Sequence, residues 1–257
     1  MHSLRVLAVG ILMHVKMRAT SAFDGLLGIL WPLFFALIAF FLFRAGTGPE
    51  GLVYASYGAA VMGVWSATST SAGSALQRER WHGTLELLAA APVRNFALIL
   101  LPITITLAAI GIYSMVTTLL VARFVFGVDL PLEDPLAFVA AVPVTIGSVG
   151  TAGFLLAVAF VRYRAGWALG NMLEFPVWLI AGFLVPLSLL PGWVRPISWI
   201  LPPTWGMNAI REAAVGGTPW PDIGMCVLLA GVYTAVGVLA VDHMLTSARK
   251  RASLALT

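Results

Sequence analysis

Residues 97–122 read ALILLPITITLAAIGIYSMVTTLLVA, without one Asp, Glu, Lys or Arg. As an α-helix this stretch extends about 39 Å at ~1.5 Å per residue, more than the roughly 30 Å of hydrocarbon in a bilayer. A surface helix of a soluble domain carries a polar face; this one has none, so the stretch predicts a membrane-spanning helix. Pro102 does not veto it, since neighbouring helices can satisfy the freed carbonyl. Working outward, similar apolar runs fall at about 26–43, 52–75, 136–161, 166–187 and 224–246. Six helices and their connections fill the 257 residues, leaving no room for a soluble catalytic domain. Composition agrees: 60% hydrophobic, 10% charged and a mean hydropathy of +0.95 leave too little charge to coat a surface in water. The expected fold is all-α integral membrane, one domain over residues 1–257.

Charge orients the spans. The 15 basic residues are scattered between apolar runs and form no patch for nucleic acid. Arg5, Lys16, Arg18, Arg78, Arg80, Arg94, Arg162, Arg164, Arg249, Lys250 and Arg251 fall on one side of a six-span chain. Arg44, Arg123, Arg195 and Arg211 fall on the other. Basic residues stay in the cytoplasm, so both termini are expected inside a plasma membrane. Leu4, Leu7, Ala8, Ile11 and Val15 share one helical face, so residues 2–20 predict a helix lying on the inner surface. A cytoplasmic extension of the first span is the alternative. Charges following its apolar stretch make this segment unlike a signal peptide.

Residues 188–223 hold six of the 15 prolines and four of the nine tryptophans: Trp193, Trp199, Trp205 and Trp220. Tryptophan favours the membrane–water interface and proline interrupts helices. The pattern predicts short helices dipping into the outer leaflet, with bends near Pro196 and at Pro202-Pro203. An external loop with interfacial anchors is the plainer alternative. The single cysteine, Cys226, lies in an apolar run and excludes a disulfide framework or Cys-based metal site. No metal ligand set is expected, because His2, His14, His82 and His243 have no ligand spacing.

Between the second and third runs stands QRERWHGTLELLAAAP, residues 77–92. At 100° per residue, Trp81, Leu85 and Leu88 point one way and Glu79, Gly83 and Glu86 the other. Such a helix, over 77–91, would rest its aromatic face on the membrane domain and offer its acidic face to a soluble partner. Gly83 costs ~1 kcal/mol relative to alanine inside a helix, which suggests close approach of another backbone. A merely solvated interfacial helix fits the same pattern.

At these residues the chain resembles the ABC-2-type transporter permeases. Glu-x-x-x-Gly-Thr-x-Glu-x-Leu, then a proline and Val93-Arg94, is similar to the family's signature loop, matching at Glu79, Gly83, Thr84, Glu86, Leu88 and Pro92. Ala90-Ala91 departs from the threonine that many members carry there. Leu190-Pro191-Gly192-Trp193, Leu201-Pro202-Pro203-Thr204 and Ala209-Ile210-Arg211 resemble the re-entrant external segment of the drug-resistance (daunorubicin-type) branch. The resemblance implies that 77–91 is a coupling helix docking in a groove of an ATP-binding subunit. It also implies an assembly of two permease chains, identical or related, with two ATPase copies, exporting a hydrophobic or amphipathic compound in a bacterial cell. This chain has no Gly-x-x-x-x-Gly-Lys-Ser/Thr loop, so ATP and Mg2+ would sit on the partner, no cofactor on this chain, and the chain would be no enzyme by itself.

Glu174 is the least expected residue. It falls about 12 Å into the fifth run, where an ionised carboxylate costs at least ~2.5–3.5 kcal/mol. Trp167, Asn171, Glu174 and Trp178 share a face at i, i+4, i+7 and i+11, a stripe suited to a cationic amphiphile or to a structural carboxyl bonded between helices. Ser66, Thr68, Ser69, Thr70, Ser71 and Ser74 in the second run serve close helix packing or line a polar vestibule. Three other readings stay open: a polysaccharide or glycolipid exporter of the same family, an integral-membrane enzyme acting on lipids, and an ion-coupled carrier. The scattered histidines weigh against the enzyme, and the lack of an internal repeat against the carrier.

Overall fold

A computed structural model describes residues 48–81, 97–160 and 166–251, with positions 9, 11, 12, 30, 33, 34, 37, 40 and 41 before them. Side chains are described at 48, over 50–70, 97–160 and 168–243, and at those earlier positions. Seven α-helices form among the described residues: α1 Pro49–Trp81, α2 Ala97–Phe124, α3 Pro135–Phe160, α4 Gly166–Ile180, α5 Val194–Ile200, α6 Pro202–Val215 and α7 Pro219–Arg251. The interfacial helix expected over 2–20 and the first span at 26–43 lie outside them but for those early positions. One of these, Phe40, is fully buried and packs on Phe126 just beyond α2, ring centroids 4.7 Å apart.

The apolar runs become helices because lipid-compatible sequence must satisfy its own backbone. Their hydroxyls follow the same rule. Thr68 donates to the Val64 carbonyl, Thr106 to Pro102, Thr151 to Ser148 and Thr234 to Ala230, all one turn back. α1 packs on α2, α3 and α4, and α3 packs on α2, α6 and α7. Where the helices close on one another a missing side chain admits the neighbour: Gly111 meets the Val64 backbone and Gly150 that of Ile105. Small residues at such contacts gain dispersion contact between helix backbones, which is how helices associate in lipid.

α2, α3 and the Pro219–His243 part of α7 are long and apolar enough to cross a membrane. They match the expected spans at 97–122, 136–161 and 224–246, but α7 starts earlier. Pro219 and Pro221 stand in its first turn, where helix N–H groups lack partners anyway. α1 covers the expected run at 52–75 and has the length, about 50 Å, while its Gly, Ser and Thr residues dilute its apolarity. The fifth run is a correction. The helix expected over 166–187 stops at Ile180, about 22 Å from its start. Gly182, at φ 77°, takes the left-handed cap position. The Phe183 N–H reaches the Trp178 carbonyl at 3.1 Å and the Gly182 N–H that of Leu179 at 3.2 Å, the paired bonds of a glycine C-cap.

The segment after it folds back into the bundle. Leu187–Leu189 is a single 3-10 turn leading to α5 and α6. Pro196 makes no bend, because it occupies the first turn of α5 where proline is tolerated. The bend is at Leu201, whose extended backbone precedes Pro202 and Pro203 at the start of α6. α6 lies against α3 and α7. Its Gly206 abuts Thr145, about 15 Å along α3. Its Ala213 and Ala214 carbonyls accept from Asp134 and Glu133 just before that helix. The Tyr233 hydroxyl, about 21 Å along α7, donates to the Ile200 carbonyl at 3.0 Å. The α5–α6 junction thus sits halfway along the long helices, at the bottom of a hairpin.

Candidate functional site

The segment expected to dock a partner is described only at its start. The α1 backbone runs unbroken through Glu79 to Trp81, so the second run leads into this segment without a turn. The side chains of Glu79 and Trp81, and all of Gly83, Thr84, Leu85, Glu86 and Leu88, lie outside the described residues.

α4 carries the polar–aromatic stripe. Glu174 is 3% exposed and Trp178 4%, Asn171 is half-buried, and the Trp167 side chain lies outside the described residues. The opposite face, Met172, Phe175 and Leu179, is exposed. The stripe therefore turns inward, onto α1. The Ser66 hydroxyl donates to Glu174 Oε1, and one turn toward the α4 start Gly170 meets the Ser69 carbonyl with no room for a Cβ. Ser66 and Ser69 are buried, and this close-packed seam is where they go.

The segment 188–223 divides its residues. Trp193 and Trp199 are exposed, at 70% and 55%. Pro202 and Pro203 are buried at the head of α6, and the Trp205 Nε1–H donates to the Trp199 carbonyl at 2.8 Å, bracing the bend. Arg211 turns inward. Its Nη1 donates to the Gly182 carbonyl at 2.8 Å and its Nη2 to Phe183 at 3.0 Å and Tyr54 at 3.3 Å. Its guanidinium carbon stands 3.2 Å over the centre of the Tyr54 ring. The Tyr54 hydroxyl donates to the same Gly182 carbonyl at 2.7 Å. The carbonyls freed where α4 ends are thereby paired, as buried backbone acceptors must be. Arg211 Nε is buried with no hydrogen-bond partner among the described residues. The ion pair formed among those residues is Arg123–Asp129, elsewhere at the α2–α3 loop, so neutral dipoles and a ring face hold the Arg211 cation.

Sequence reasoning placed Arg211 in the outer segment but missed its partners. Tyr54 and Gly58 lie one turn apart at the start of the second run, and Gly182 stands four residues before Pro186. The Gly–Pro spacing is a helix-stop signal masked by the apolar residues around it. Nothing local in Tyr54 or Gly58 announces a cation 153 or more positions later.

Chain order and geometry agree with one family. The chain matches the ABC-2 type transporter family over residues 11–215, from before the first expected span to the end of α6. Among curated proteins no match is found. The matched region covers most of the 257 residues; the chain belongs to the ABC-2 type transporter family, as a multi-pass membrane permease subunit that works with an ATP-binding cassette partner and is not an enzyme by itself.

Proposed function

We propose that this chain exports a hydrophobic or amphipathic compound, drug-like or lipid-like, using ATP hydrolysed on two copies of its partner. The observation that carries this reading is α1, one helix from Pro49 to Trp81, which runs straight into the family-like loop 77–92. In this account Glu79, Gly83, Thr84 and Glu86 face the ATPase, while Trp81, Leu85 and Leu88 rest on the membrane domain. Hydrolysis moves the loop and rocks the helices as rigid bodies. Two permease chains, identical or related, form the path. Both termini are cytoplasmic, the α5–α6 hairpin enters the outer leaflet of a bacterial plasma membrane, and its exposed tryptophans meet lipid. ATP and Mg2+ stay on the partner.

The inward-facing Glu174 and Trp178 support a drug-resistance role, since a carboxyl one turn from an aromatic ring suits cationic amphiphiles. The experiment is ATP-driven accumulation of the cationic dye ethidium in inside-out vesicles holding this chain and its ATPase. Accumulation should need both subunits and ATP. Dye movement independent of ATP, or its absence when a lipid-linked sugar is moved instead, would overturn the substrate class.

A further inference from the structure

Arg211 joins three parts of the fold that are far apart in sequence. It belongs to α6, its Nη2 reaches the Tyr54 carbonyl on α1, and its two terminal nitrogens reach the turn that ends α4. A Cβ at Gly58 would overlap the Phe183 carbonyl oxygen and come within 3.0 Å of Arg211 Nη2, so α1 is shaped to admit this junction. From Tyr54 to Trp81 the helix is unbroken, about 40 Å of it. A helix that length transmits displacement as a rod: a tilt imposed at its inner end appears at its outer end.

We propose that Arg211 is a positioning residue for transport, binding the α5–α6 hairpin to α1 so that the two move as one body when ATP drives the inner end of α1. The inference rests on the ATP-coupled reading above. The chemistry favours arginine over any other cation here. A planar guanidinium can donate to three carbonyls at fixed angles while lying on a ring face. A lysine supplies one point of charge. With no carboxylate in the knot among the described residues, no ion pair among them locks the cation, and neutral acceptors let the junction hold shape without a deep electrostatic trap.

The test uses the whole complex with its ATPase and needs no transported compound. Cys226 is replaced by alanine, cysteines at Glu50 and Arg195, both exposed, carry spin labels, and labelled chain is diluted with unlabelled chain. Distance distributions are recorded without nucleotide and with ATP and vanadate, with hydrolysis measured alongside. Wild type should give one distribution, unchanged on trapping. R211Q should broaden and shift on trapping, with basal hydrolysis within about twofold of wild type, because the inner end is untouched. R211K should fall between, and G58A should behave like R211Q with its arginine intact. A wild-type distribution that shifts on trapping overturns the proposal, as does an unchanged distribution in R211Q or, should R211Q fail to assemble, in R211K and G58A. Failure of wild type to capture or stimulate any ATPase instead sinks the coupled-transport reading, and the two failures are thus told apart.

Discussion

Gly58 and Glu174 mark two contacts between α1 and α4, about 12 Å apart along α1, and test the pair in opposite ways. At Gly58 the α4 turn lies on the α1 backbone, so Gly58→Ala forces a shift that costs about 1–3 kcal/mol, as overpacking does. Thermal unfolding of the purified chain in detergent should show the loss, and an unchanged midpoint would mean the two elements are not in contact. At Glu174 the carboxyl accepts from Ser66. Glu174→Gln keeps an acceptor and should leave stability within about 1 kcal/mol, whereas Glu174→Leu leaves a buried hydroxyl unpaired at about 1–3 kcal/mol. If the stripe also meets substrate, Glu174→Gln weakens stimulation of hydrolysis by cationic amphiphiles more than by neutral ones; equal loss for both assigns the carboxyl to packing alone. The oddity of Glu174 was legible because a carboxylate in an apolar run is costly. Its partner was not, since Ser66 is one of seven serine and threonine hydroxyls in that run.

At the scale of elements, long apolar stretches were read to within a few residues at α2 and α3, because lipid leaves backbone no choice but helix. The fifth run was overextended. Ala181 to Leu187 stays apolar after the helix stops, and only the glycine–proline spacing marks the stop. Pro196 shows the converse: a helix breaker by type is a helix starter by position. The family-like loop makes the prediction proper to this scale. Gly83→Trp should block close approach of a partner backbone, and the capture of the ATPase should fall at least about tenfold, on the order of 1.4 kcal/mol. Trp81→Ala and Leu85→Ala should lower the amount of folded permease instead. Full ATPase capture by Gly83→Trp, measured by co-purification, would remove this loop from the interface.

Across the whole molecule, the proposed orientation follows from the basic residues, and in it the α5–α6 hairpin would give the outer end its depth. The proposed topology rests on charge bias, a property of the entire chain. The hairpin's descent to Thr145 and Tyr233 depends on contacts between distant segments, which no local pattern records. Single cysteines at Pro131 and Ser253, in a chain without Cys226, should label from outside and inside respectively in intact cells. Labelling from one side would contradict the orientation. The claim on which the rest depends is that a separate ATPase docks at 77–91, and the most direct measurement is its binding to wild type and to Glu86→Lys over a range of salt. The account predicts strong capture by wild type and weakened capture by Glu86→Lys at low salt, the difference shrinking as salt screens the reversed charge. Equal binding by both at every salt concentration would contradict it.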